Sequence, residues 1–173
     1  MNDRSPASPA NGTKYQWTLN KGLDTLLRND TELLVLQQKE GGRAVFTHKG
    51  AHYVLQHEGF WNPRTIIKRN GEPVLALRRH FLGGNATIEL EDGTALQCKA
   101  HNEPLVKLSF LSASGEPILS YRLDATTRLR IILEVNNDTI RNEHLVLLLV
   151  LGFHAFRGVI LENDASDLVV MVA

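Results

Sequence analysis

The chain has 173 residues, enough for one domain with a sizeable core and too few for two comfortable ones. Its 19 basic and 19 acidic residues cancel, which excludes a uniformly basic binder of nucleic acid or anionic membrane, and its 43% apolar share excludes disorder and fibrous repeats. A single cysteine, Cys98, excludes an intramolecular disulfide and any tie to an oxidising compartment, so a cytoplasmic location is the default expectation.

Residues 1–13 are rich in Ser, Pro, Ala, Asn and Gly and lack the apolar segment of a secretory signal, which predicts a disordered tail. The stretch Leu23 to Gln38 is ambiguous. Leu23, Leu26 and Leu27 have helical spacing, whereas Leu33 to Leu36 read as a strand, so the second part is assigned as strand and the first left open. Beyond it, short apolar runs alternate with turn residues: Lys49-Gly50, Asn70-Gly71, Asp92-Gly93 and Ser114-Gly115. Thr87 to Leu90, Val106 to Phe110 and Leu129 to Val135 alternate strictly, as half-buried strands do. This is the pattern of an antiparallel all-β domain joined by tight hairpins. Cys98 shares a strand face with Leu96, which predicts a buried thiol.

An internal repeat punctuates the strands. Gly71-Glu72-Pro73-Val74-Leu75-Ala76-Leu77-Arg78 recurs as Gly115-Glu116-Pro117-Ile118-Leu119-Ser120-Tyr121-Arg122. Each copy follows an apolar run and reads as turn chemistry, with the proline at the start of the returning strand where a missing N–H is tolerated. Two copies suggest reused hairpins in a meander; they do not make a solenoid.

The segment Asn142 to Gly158 carries helix punctuation, with Asn142 as cap, Glu143 in the first turn, Arg157 in the last and Gly158 beyond it, which predicts a helix over 143–157. Leu145 to Phe156 is apolar on every side, so the helix must be enclosed by protein or lipid. Those 12 residues span about 18 Å, short of the roughly 30 Å of a bilayer core. Enclosure by strands follows: a mainly β, antiparallel barrel of meander hairpins around one hydrophobic C-terminal helix. Val159 to Leu161 and Leu168 to Val172 read as two further strands.

This pattern resembles the superfamily of tubby C-terminal-like proteins, phospholipid scramblases and LURP-one-related proteins, over roughly Phe46 to Ile160. The resemblance is carried by the two Gly-Glu-Pro hairpins and the helix Leu145 to Phe156. It implies a barrel wrapped around a hydrophobic helix and a module that contacts phospholipid. The phosphoinositide-binding basic residues of tubby proteins and the proposed calcium segment of scramblases have no position-by-position counterpart here.

No catalytic or nucleotide motif is present: there is no phosphate-binding glycine loop, no nucleophile elbow and no His-Glu-x-x-His helix, so no catalytic residue and no cofactor is expected. His48, His52 and His57 are spaced by four and five, which cannot put all three on one strand face, so no metal site is expected there. His154 is expected to be a buried imidazole bonded to a barrel carbonyl.

Charge is unevenly spread. Between Lys39 and His80 eight basic residues face three acidic ones, a surplus of five positive charges; beyond Gly83 there is a surplus of five negative charges. Arg64, Lys68, Arg69, Arg78 and Arg79 flank one hairpin near Trp61, and these six are the candidate residues for an anionic phospholipid surface, at a peripheral membrane location. Aromatic residues are not interleaved as a base-stacking platform requires, which argues against nucleic acid. The expectation is a non-enzymatic binding or interaction module for anionic phospholipid or a protein partner. The rival readings are a small-molecule carrier with the helix outside an open barrel, and a protein inserted in a membrane by residues 145–156.

Overall fold

A computed structural model describes residues 14–20, 22–59, 64–79, 85–101, 107–124, 130–136, 140–162 and 169–172. The expected tail over residues 1–13 lies outside them, as does Trp61.

Twelve strands follow one another as a pure antiparallel meander: β1 (Tyr15–Thr18), β2 (Leu23–Arg28), β3 (Thr31–Lys39), β4 (Arg43–His48), β5 (Ala51–Glu58), β6 (Arg64–Arg69), β7 (Glu72–Arg79), β8 (Asn85–Leu90), β9 (Ala95–His101), β10 (Lys107–Leu111), β11 (Pro117–Asp124) and β12 (Arg130–Val135). The helix α1 (Asn142–Glu162) then carries the chain to β13 (Val169–Val172), which pairs in parallel with β12 and lies against β1. A parallel neighbour needs a long crossover, and the helix supplies it. The two ends of the sheet thereby meet, and the meander forms a nearly closed barrel.

Hairpin chemistry sets the register. Asn29-Asp30, Lys49-Gly50 and Asn70-Gly71 all have positive φ at both central residues, the two-residue turn whose twist matches that of the flanking strands. The open assignment at Leu23 is settled by the first of these: β2 is a strand, with Asp24 and Leu26 facing inward, folded back on β3. Helical spacing of three leucines loses here to the turn that follows them. The repeat has a structural meaning beyond turning. In β6–β7 the register shifts so that Lys68 faces Pro73 and Ile67 faces Leu75, leaving Val74 as an extra residue. In β10–β11 Leu111 faces Pro117 and Phe110 faces Leu119, leaving Ile118, the equivalent residue. Both extra residues are buried, so each Gly-Glu-Pro copy encodes the same bulge, which adds the twist a closing sheet needs.

The core is the helix. Leu145 to Leu151, Phe153 and Phe156 are buried around the whole circumference by inward residues such as Leu36, Leu55, Ile67, Ile88 and Leu119. Cys98 and Leu96 are buried on one face of β9, as alternation predicts. At the helix centre the Trp17 ring stacks on Phe153 at 4.0 Å. The Tyr121 hydroxyl donates to the Leu149 carbonyl at 2.7 Å and accepts from Trp17 Nε1 at 3.1 Å, tying β1, β11 and α1 together. Burial drives the Tyr121 pKa far above that of a free phenol.

One boundary differs from expectation. The helix does not stop at Gly158, and Val159 to Leu161 are not a strand; α1 runs on to Glu162. Glycine inside a helix costs only about 1 kcal/mol relative to alanine, and the apolar run beyond it continues the helical segment. Among the described residues no helix is long and apolar enough to cross a membrane.

Candidate functional site

Period-2 alternation divides the candidate cations. Arg64 and Lys68 on β6 and Arg78 on β7 lie on the outer face, whereas Arg69 has the opposite parity and falls at one mouth of the barrel. Arg64 stands directly opposite Arg78 in the ladder. These three line an outer groove of about 450 Å³ across β5 to β8, floored by the buried Ile66 and by Ala76. Arg79 is the last residue of β7, but its side chain, like Trp61, lies outside the described residues.

Every described candidate cation has a carboxylate partner. Lys68 Nζ is 2.6 Å from Glu58 Oε1 and Arg64 is 3.5 Å from Glu58 Oε2, while Arg78 is 3.3 Å from Glu89. Arg69 is 2.7 Å from Glu91. Donation by Lys68, aided by Gln56, holds the Glu58 carboxyl below the usual carboxylate range. All these pairs are partly exposed to water, which screens the attraction and leaves each pair weak.

At the barrel mouth beside the start of α1, a cleft of about 150 Å³ is lined by His48, Lys49, Tyr53, Arg69, Glu143 and His144. Its charges are also matched, with Lys49 3.6 Å from Glu143 and Arg69 2.7 Å from Glu91, and the His144 ring lies 3.8 Å from Asp92. Sequence reasoning did not find this cleft, because its residues come from distant segments. The same is true of the opposite end. There Asp24, 1% exposed, points inward from β2. Its Oδ2 accepts from Arg157 Nε of α1 and from Gln38 Nε2 of β3, both at 3.1 Å, while its Oδ1 has no hydrogen-bond partner.

The ring of His154, expected to be buried, is partly exposed and lies beside the Gly42 backbone in the 3-10 turn Glu40–Gly42 between β3 and β4. His52 and His57 point to opposite faces of β5, and among the described residues no three or more His, Cys, Asp or Glu side chains gather as metal ligands. Burial, reinforced by the charges of His57 and Arg157, lowers the His154 pKa from 6.5 to about 4. In the unfolded chain the ring returns to its ordinary value, so between pH 6.5 and 4 the unfolded state takes up a proton that the native state refuses. Stability present above pH 6.5 is therefore lost as pH falls toward 4, by at most about 3 kcal/mol. His48, lowered chiefly by burial, acts with the same sign. The urea midpoint of the wild type should drop across this window and that of His154→Gln should drop less; equal slopes would exclude His154 as the cause.

Comparison with family models, curated proteins and solved structures gives no match.

Proposed function

We propose that the protein is a non-enzymatic, tubby-like binding module that contacts an anionic phospholipid surface through the outer face of β5 to β8, at a peripheral location on the cytoplasmic side. The observation that supports this reading is the cross-strand pair Arg64 and Arg78, with Lys68 on the same face. Like charges placed directly opposite each other destabilise a sheet. Glu58 and Glu89 offset that repulsion here, and their exposed pairs are weak enough for lipid phosphates to replace them. The carrier reading has less support, because the side chains of α1 occupy the space a carrier keeps for its ligand.

Vesicle flotation tests the proposal. The wild type should float with phosphatidylserine-containing vesicles at low salt and not with phosphatidylcholine alone, and Arg64→Glu/Arg78→Glu should remain at the bottom of the gradient. Equal partition with both vesicle types, or flotation unchanged in the variant, rejects it. A protein partner becomes the leading alternative in that case.

A further inference from the structure

The end of the barrel that holds the last turns of α1 brings together two imidazoles that the lipid reading does not use. His57 on β5 and His154 on α1 have ring centroids 5.7 Å apart and planes inclined by 42°. A metal–nitrogen bond of about 2.0–2.1 Å places a ring centroid about 3.2 Å from the ion, so two imidazoles on one ion have centroids from about 4.5 Å apart at a right angle to about 5.5 Å at 120°. The observed separation exceeds that range by a few tenths of an ångström, which small side-chain rotations supply.

One of the two rings is also oriented as a ligand is. His57 Nδ1 lies 3.0 Å from Thr65 Oγ1, which engages that nitrogen and leaves Nε2. Gly42 lies against the Cδ2–Nε2 edge of His57 and beside the His154 ring. A Cβ at Gly42 would sit 3.3 Å from His57 Cδ2 and 3.6 Å from Nε2, so glycine leaves room beside that edge of the ring. A hydroxyl on the far nitrogen, as Thr65 provides for His57, is the arrangement that fixes tautomer and ring direction in metal-bound histidines. His57 is exposed and His154 only partly buried, which gives solvent access. The nearest fixed cation on the helix, Arg157, is offset by Asp24, whose Oδ1 is still unpaired.

We propose that His57 and His154, held across Gly42, form an open two-imidazole site for a divalent transition-metal ion of the copper, nickel and zinc class, with water in the remaining positions. Imidazole nitrogen suits these ions, and copper binds most tightly among them. The ion would join β5 to the end of α1.

The test uses the full chain and no lipid, so its outcome is separate from that of the flotation experiment. Cu(II) added at pH 7.4 should give one tightly bound equivalent whose electron paramagnetic resonance spectrum carries splitting from two imidazole nitrogens. His57→Gln, an exposed change that leaves the core intact, should weaken binding at least ten-fold and remove one nitrogen, and His154→Gln should do the same. His52→Gln, on the opposite face of β5, should bind as the wild type. Zn(II) should raise the melting temperature of the wild type and not that of His57→Gln. The proposal is overturned if the wild type binds no stoichiometric ion, or if binding survives both substitutions unchanged.

Discussion

A Leu148→Asp chain is expected not to fold. Leu148 is fully buried at the middle of the run Leu145 to Leu151, where the helix is enclosed on every side. A carboxylate there meets apolar side chains, and a buried, unpaired charge costs several kcal/mol, on the scale of the whole stability of a domain. The barrel cannot relieve the strain by turning the residue outward, because the helix has no outward face over Leu145 to Leu151. Leu148→Met, which nearly conserves volume, should lose less than about 1.5 kcal/mol. Circular dichroism and solubility separate the outcomes: a soluble aspartate variant with a cooperative melt would mean that the helix is not the core.

Gly152→Val should cost about 3 kcal/mol or more, and Gly152→Ala about 1–3 kcal/mol, read from denaturant midpoints. A Cβ on Gly152 would lie 2.6 Å from Tyr121 Cδ2 and 2.9 Å from Phe110 Cε2. Both rings are fully buried, and Tyr121 is tethered through its hydroxyl to Leu149 and Trp17. The clashing ring therefore cannot swing away without breaking two buried hydrogen bonds. An unchanged midpoint for the valine variant would show that α1 can shift along the barrel axis, against the tight fit described above.

Most of the architecture was readable because local rules and tertiary packing agree. Alternation at Thr87 to Leu90, paired turn residues at Asn70-Gly71 and the all-round apolar helix each point to the same barrel. The rule failed where local signals were weak: Gly158 resembled a stop yet lies within α1, and three leucines in β2 had helical spacing while facing a sheet. The site was legible only in part. Parity alone separates Arg69 from Arg64 and Lys68, but Glu58 and Glu89 come from neighbouring strands whose register depends on a turn and a bulge. The Asp24 and Arg157 pair joins residues 133 positions apart, and nothing in either neighbourhood announces the other. The same holds for His57 and His154, which meet through barrel closure.

The connection from β12 through α1 to β13 constrains the order of assembly. The sheet's last strand follows its plug in the chain, and β13 occupies the place between β12 and β1 where the two ends meet. A chain growing from its N-terminus therefore presents twelve strands with a bare apolar concave surface before the segment that covers it exists. Without α1 and β13 the inward apolar residues lack their cover and the edges of β1 and β12 lack their neighbour. The helix must enter before the final strand docks, so closure is the last event rather than the first. The hairpins of β1 to β12 are local in sequence, whereas the seam that joins the two ends of the sheet depends on the pairing of β13.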